Sequence, residues 1–461
     1  MLLLWIAAAV LILLDLFGKF RFTAKYPAAF VLIFAPHFPI MSEILKGTLY
    51  GVYLLLSIYA LLRLNIYPIG RHRTSSHRLN FLYSGKRLLN LSLYLSFIQL
   101  VFYPIALHCV SLPLSSLVWD ILLTVFIICF TALNGMLRVI FTSRWLNVLK
   151  RLICFMFVLI PGINIIVMIY LRHIAAKEYD YYEYKLNDIP SRIENQVCHT
   201  RYPILLVHGV GFRDARFFNY WGRIPKHLRA LGAQIFYGNQ EGWATIDSNA
   251  ELLHRRVLEI LEQTGAEKIN IIAHSKGGLD CRQMIHTYDM GKYIASLTTM
   301  GTPHYGVKFA DVLLKYIPAP VVDSVSEIIN NIFRKYGDKH PDFKMAVHML
   351  TEEYAAKFNG RVKDSPDVYY QSFSSVMGCA FSDPILTIPY LIGRAVGSKY
   401  NDGLVPEPSA HWGNFRGTIT SKRIHGVSHG DLIDLKREDF RGFDMIDKYV
   451  EIVSELKNMG Y

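Results

Sequence analysis

The sequence predicts a multi-pass α-helical membrane region followed by an α/β domain, a mostly parallel sheet flanked by helices. Three observations carry this. Apolar segments near the length of a bilayer crossing crowd residues 1–175. Charge is divided along the chain: residues 1–175 hold fifteen Lys and Arg against only Asp15, Glu43 and Asp120, while residues 176–461 hold thirty-four of each sign. From Tyr202 on, β-branched runs alternate with stretches of helical periodicity, the pattern of strands joined by crossover helices.

The apolar segments are Leu2–Phe17, Tyr26–Met41, Gly47–Leu64, Leu88–Val110, Leu112–Leu133 and Leu152–Leu171. The first lacks the charged n-region of a cleaved signal peptide. The second is short and carries Pro36 and Pro39. A soluble helical core of this size would need many more charged residues on its solvent faces. Basic loops follow the first segment (Lys19, Arg21, Lys25), the third (Arg71, Arg73, Arg78, Lys86, Arg87) and the fifth (Arg138, Arg144, Lys150). By the positive-inside rule these loops are cytoplasmic, and six spans then put the N-terminus and everything after Leu171 on the extracytoplasmic side. Asp15 and Asp120 are acids within apolar segments and so functional candidates. No ordered series of polar residues accompanies them, which favours an anchor over a transport pathway.

Residues 176–200 read as a juxtamembrane connector. The run Glu178-Tyr-Asp-Tyr-Tyr-Glu-Tyr184 has the tyrosines of a membrane interface. The net charge of +12 resides wholly before it, so no nucleic acid partner is indicated for the C-terminal part. Cys109, Cys129, Cys154, Cys198, Cys281 and Cys379 show no metal spacing. One disulfide among Cys198, Cys281 and Cys379 stays open.

In the C-terminal part, strand-like runs lie at Tyr202–His208, Ala233–Tyr237, Lys268–His274, Ile294–Met300 and Asp367–Phe373. Between them Asn249–Thr264 carries Leu252, Leu253, Val257, Ile260 and Leu261 on one helical face. In parallel sheets the chemistry sits beyond the carboxyl ends of the strands. One strand there ends abruptly: Ile269-Asn-Ile-Ile-Ala-His-Ser-Lys-Gly-Gly278 is the pattern of a serine on a sharp strand-to-helix turn. Small residues at Ala273 and Gly277 let strand and helix pack closely around it. The earlier strand Pro203-Ile-Leu-Leu-Val-His-Gly-Val-Gly211 ends in His-Gly, so the Val210 and Lys276 backbone N–H groups are the candidate oxyanion donors. Asn401-Asp-Gly-Leu-Val-Pro406 presents a carboxylate on a tight turn after the last predicted strand. His425-Gly-Val-Ser-His-Gly-Asp431 brings two histidines near the C-terminus. The order Ser275, Asp402, His429 is that of the α/β-hydrolase triad, with His425 and His411 as alternative bases.

These words, with YWGRI (220–224), TMGTPHYG (299–306), LTEEYAAKFN (350–359), YYQSFS (369–374), FSDP (381–384) and SHGDL (428–432), occur in order over residues 201–461. There the chain resembles bacterial triacylglycerol lipases of the true-lipase type, in the α/β-hydrolase superfamily. The first 175 residues lie outside the resemblance. It implies an α/β-hydrolase domain with Ser275 as nucleophile, His429 as general base and acid, and Asp402 as the carboxylate orienting the imidazole. It selects His429 over His425 because an Asp follows two residues on. It also implies a structural calcium ion held by acids at Asp383 and Asp431, and no cofactor for the chemistry. Residues 305–349 correspond to a mobile lid. Within it Asp323–Lys335 reads as an amphipathic helix with a capping box at Ser324 and Glu327, and with Val325, Ile328, Ile329, Ile332 and Phe333 along one side. The expected protein is a membrane-anchored serine ester hydrolase (a lipase or carboxylesterase) acting on lipid acyl esters at the bilayer. A phospholipase or acyltransferase, and a membrane scaffold or transport protein with an inactive hydrolase-like domain, are the alternatives.

Overall fold

The computed structural model describes residues 36–66, 74, 76–109, 113–146, 148–158, 160, 162–211, 220–421, 425–437 and 443–461. The segments Leu2–Phe17 and 26–35, with Asp15 and the basic residues Lys19, Arg21, Lys25, Arg71 and Arg73, lie outside them. The chain forms two compact units, Met1–Ile189 and Pro190–Tyr461.

The first unit is helical: α1 (Phe38–Ile44), α2 (Thr48–Ile66), α3 (His77–Cys109), α4 (Leu114–Thr142), α5 (Val148–Phe157) and α6 (Ile163–Glu194). Among the described residues α2, α3 and α4 are long and apolar enough to cross a membrane. Helices α3 and α4 approach closely because both carry glycine at the crossing. A Cβ on Gly85 would lie 2.9 Å from the Gly135 carbonyl oxygen, so alanine there would force the backbones apart. Their outward faces expose Phe97, Leu100, Trp119, Phe126 and Phe141. Asp120 is fully buried and paired: it meets His37 Nδ1 at 2.8 Å and accepts from the Tyr103 hydroxyl at 2.9 Å.

The segment Leu152–Leu171, expected as one span, is two helices. At ~1.5 Å per residue, α5 extends only about 15 Å. Between α5 and α6, Gly162 takes φ +82°, which ends helical continuation. Helix α6 then carries the supposed connector as helix to Glu194.

The second unit is a six-stranded, wholly parallel sheet: β1 (Ile204–Val207), β2 (Ile235–Tyr237), β3 (Ile269–His274), β4 (Ile294–Met300), β5 (Tyr369–Ser375) and β6 (Asn414–Ile419), in the order β2-β1-β3-β4-β5-β6. Sequence reading missed β6. Asp402 therefore leaves β5 and precedes a further strand rather than following the last. The central strands are buried on both faces. From β3, Ile272 packs with Trp221, Leu228, Phe373 and Tyr449, while Ile271 and Ala273 pack with Leu205, Val257, Ile260 and Met284.

The connecting helices are α7 (Ile224–Ala230), α8 (Ile246–Thr264), α9 (Lys276–Thr287), α10 (Lys308–Tyr316), α11 (Ala319–Lys335), α12 (Phe343–His348), α13 (Glu352–Arg361), α14 (Thr387–Ala395) and α15 (Met445–Asn458). Helix α8 starts where the Thr245 hydroxyl accepts from Ser248 N–H at 3.2 Å and stops at Gly265, φ +67°. Leu253, Val257 and Ile260 are fully buried beneath it, each stabilising the fold by roughly 1.5–3 kcal/mol. Helix α11 starts five residues before the expected capping box, after Pro318, with Pro320 in its first turn. Ser324 is thus interior, its hydroxyl bonded back to the Pro320 carbonyl at 2.9 Å. Cys198, Cys281 and Cys379 are free thiols.

Candidate active site

The three carboxyl-end loops that carry Ser275, Asp402 and His429 converge on one end of the sheet. Ser275 sits between β3 and α9 with φ +56° and ψ −134°, a conformation costing about 1–3 kcal/mol that persists only where the surroundings impose it. They do so sterically. A Cβ on Gly277 would lie 2.3 Å from the His208 carbonyl oxygen, and one on Gly278 2.3 Å from Thr302 Oγ1. The Ser275 N–H donates to the Met300 carbonyl at 3.0 Å and its own carbonyl accepts from Thr302 Oγ1 at 2.8 Å.

His429 and Asp402 are joined twice. The imidazole Nδ1 lies 2.8 Å from Asp402 Oδ2, and the His429 N–H donates to the Asp402 carbonyl, also at 2.8 Å. The other carboxylate oxygen accepts from the Leu404 and Val405 N–H groups at 3.0 and 2.8 Å, which orients Asp402 from behind. Ser375 Oγ adds a contact at 3.3 Å to Oδ2. Ring centroids of His429 and His274, the residue before the serine, are 4.4 Å apart, and Ser275, Asp402 and His429 are all buried. An imidazole held by a buried carboxylate beside a strained serine is arranged for nucleophilic catalysis.

The β1 loop abuts this site, since a Cβ on Gly209 would lie 2.7 Å from Ser275 Cβ. Gly209 N–H donates to the Tyr220 hydroxyl (3.1 Å) and Gly211 N–H to the Gly242 carbonyl (3.0 Å). Those neighbours fix the backbone around Val210. Lys276 opens α9, and its side chain turns inward: Nζ meets Asp280 Oδ1 at 2.6 Å, both side chains buried, with Asn249 Nδ2 on Asp280 Oδ2 at 3.0 Å. Burial pushes the Asp280 carboxyl up, and the ammonium and amide oppose it.

The alternative bases are engaged elsewhere. His411 Nε2 lies 2.6 Å from Glu407 Oε1 and its ring stacks on Phe415. His425 Nε2 lies 3.4 Å from Asp431 Oδ2. Asp383 and Asp431 do come together, but around the Lys436 ammonium. Burial raises the Asp431 carboxyl, yet His425, Lys436 and the Ser428 N–H outweigh this and hold it below the usual carboxylate range. Among the described residues no three His, Cys, Asp or Glu side chains group to hold a metal.

Sequence reasoning gave no role to Tyr220, to the inward turn of Lys276, or to Arg282. Arg282 is buried against Trp412, 3.6 Å from guanidinium carbon to ring centroid, and donates to Asn359 Oδ1 at 2.9 Å. Its acidic partner, Asp364, 3.4 Å from Nε, comes from a distant stretch of the chain, so spacing along the sequence gave no signal for it. The Lys276–Asp280 spacing of four on a helix could have signalled that pair.

The expected lid region holds α10, α11 and α12. Helix α11 turns Val322, Ile329 and Phe333 inward and exposes Val321, Val325, Ile328 and Ile332, so the expected apolar side is split between two faces. Its far end is tied to the loop after β2: Glu241 accepts from Lys339 and His340 N–H at 2.8 and 2.9 Å, and Trp243 packs on Phe333 and Phe343.

A family model described as palmitoyl protein thioesterase matches residues 203–349. The chain is 29% identical over 265 residues to triacylglycerol lipase 2 of Saccharomyces cerevisiae, covering 52% of this chain and 74% of that one. It is 32% identical over 240 residues to the triacylglycerol lipase of Vibrio cholerae, covering 46% and 75% respectively. The mature form of the Bacillus licheniformis lipase BlEst2 aligns over 55% of this chain and 91% of its own, at 19% identity and a TM-score of 0.42.

Proposed function

Since this chain belongs to the triacylglycerol lipase family of serine ester hydrolases, we propose that it hydrolyses lipid acyl esters through Ser275, His429 and Asp402 while anchored in a membrane. The observation that carries the reading is the doubly bonded Asp402–His429 pair beside the strained Ser275 turn.

In this reading Ser275 Oγ attacks the ester carbonyl as His429 Nε2 takes its proton. Asp402 accepts the Nδ1–H, which keeps the Nε2 lone pair free, and stabilises the imidazolium that forms. The backbone N–H groups of Val210 and Lys276 receive the oxyanion, and losing one such donor typically costs about 2.7–4 kcal/mol. Collapse returns the proton from His429 to the departing alcohol and leaves the acyl group on Ser275. A water, deprotonated by His429, then releases the acid. The Lys276 ammonium takes no part, being committed to Asp280.

The exposed stripe Val321, Val325, Ile328 and Ile332 on α11 supports a lid that meets lipid when open. The apolar outward faces of α2, α3 and α4 support anchoring. We place the hydrolase unit on the extracytoplasmic side from the distribution of basic loops. That placement requires residues 148–171 to complete a crossing as two helices, and protection of the unit from protease in intact cells would overturn it.

The test of the chemistry is labelling by a fluorophosphonate. The full-length protein labels, and Ser275→Ala does not. Absence of labelling in the unsubstituted protein sinks the reading. The match to a thioesterase model favours one second reading, acyl thioester hydrolysis at the same serine. Turnover of glycerolipids, phospholipids and acyl thioesters side by side ranks the substrates, and added alcohol acceptors detect acyl transfer.

A further inference from the structure

The lipase resemblance implies calcium between Asp383 and Asp431, bracing the loop that carries His429. The residues present do not fit that ion. Calcium takes about six to eight oxygens at roughly 2.3–2.6 Å. Here the space between the two carboxylates is held by an ammonium: Lys436 Nζ lies 2.8 Å from Asp383 Oδ2, 3.4 Å from Asp431 Oδ1 and 3.4 Å from the Ser382 carbonyl.

We propose that Lys436 is a built-in replacement for the metal, a positioning residue whose ammonium holds the His429 loop and makes the enzyme independent of calcium. The inference rests on the assignment of His429 as base. Its physical basis is a short connected chain. Ser428 Oγ donates to Asp383 Oδ2 and Ser428 N–H to Asp431 Oδ2, both at 2.9 Å. Asp431 N–H donates back to the Ser428 carbonyl at 3.0 Å, and His429 between them is tied to the Asp402 carbonyl at 2.8 Å. Asp383 follows β5 and Asp431 follows β6, so without a cation two buried carboxylates on separate loops would face each other and repel. The ammonium removes that repulsion and supplies charge-assisted hydrogen bonding in a poorly solvated place. Any displacement of Asp431 is passed to the imidazole within one turn of chain.

The experiment uses the full-length protein and a soluble short-chain ester, with EDTA or with added calcium, and reads kcat, KM and Tm. Unsubstituted protein responds to neither addition. Lys436→Met, which keeps the stem and removes the charge, loses about tenfold or more in kcat with KM nearly unchanged, since a base misplaced by ~1 Å costs on that order. Lys436→Arg retains most activity. Lys436→Ala empties the space, and calcium raises both its kcat and its Tm by occupying the remaining oxygens. Three results overturn the proposal: EDTA inhibiting the unsubstituted protein; Lys436→Met and Lys436→Ala keeping full kcat; or a loss in Lys436→Ala that calcium does not lift while Lys436→Arg is equally impaired. An active Ser275→Ala would instead remove the catalytic reading, and the calcium response of Tm would still decide the role of Lys436.

Discussion

The Tyr220 hydroxyl lies 2.6 Å from His274 Nδ1 and accepts the Gly209 N–H at 3.1 Å. One phenol thus ties the loop after β1 to the residue before the serine. Burial and the nearby His429 hold the His274 imidazole well below its ordinary pKa and so neutral. Tyr220→Phe leaves the Gly209 N–H and the imidazole without that partner, a loss of about 1–3 kcal/mol. We expect kcat on a soluble ester to fall roughly tenfold, because the backbone at Val210 loses its tether to the elbow. Unchanged kcat would show that the loop is held without it.

The assignment of the base is tested by two histidines four residues apart. His429→Ala removes the imidazole bonded to Asp402 and should lower kcat by about 10³-fold or more, judged from the non-additive losses typical of triads. His425→Ala removes a 3.4 Å contact with Asp431 and should keep most turnover. The reverse pattern would move the base to His425.

The buried pair Lys276–Asp280 anchors the first turn of α9. Asp280→Ala strands an ammonium in the core and should destabilise the protein by about 3–5 kcal/mol, whereas Lys276→Met with Asp280→Leu should cost far less. Denaturant titration of the three proteins decides this. Equal losses in single and double variants would contradict it.

His274 and His304 are both fully buried, and burial holds both imidazoles well below the usual value. Their folded pKa values are depressed, so the stability they confer is complete above the unfolded pKa of about 6.5. Below it the unfolded chain binds protons that the folded chain refuses. Stability then falls by up to ~1.4 kcal/mol per pH unit for each histidine until the folded value is reached. Unfolding free energy measured from pH 7 down to mildly acid should decline, and His304→Gln should make the decline shallower by one proton. An identical slope in the variant would exclude His304.

On α11, Ile328 is 60% exposed in a stripe that faces away from the core. Ile328→Glu should leave hydrolysis of a soluble ester unchanged and reduce turnover of a lipid emulsion about tenfold, the loss expected when one large apolar side chain no longer enters lipid. Equal effects on both substrates would argue against an interfacial lid.

Local order was readable wherever periodicity or sterics act over a few residues. The β-branched run Ile269–His274 followed by Gly277 and Gly278 announced both strand and turn, because only glycine fits against His208 and Thr302. The leucine and valine spacing of α8 announced its buried face. The break after α5 was less legible, since hydropathy summed over Leu152–Leu171 hides a glycine at positive φ. Strand β6 was missed because Asn414–Ile419 is half-exposed, short of large apolar residues, and held by its pairing with β5.

For the site, which side chains exist for acyl chemistry and in what order were legible before any fold was known, since order along the chain is a property of the chain alone. The choice of His429 over His425, which the sequence drew from resemblance alone, acquires a physical basis in the 2.8 Å contact with Asp402. The folded chain adds that the Lys276 ammonium points inward and that a lysine lies between Asp383 and Asp431. Those outcomes depend on loops from strands far apart in sequence being brought to one end of a sheet. Hydrogen-bond and charge partners across such loops are chosen by distance in space, which spacing along the chain does not encode.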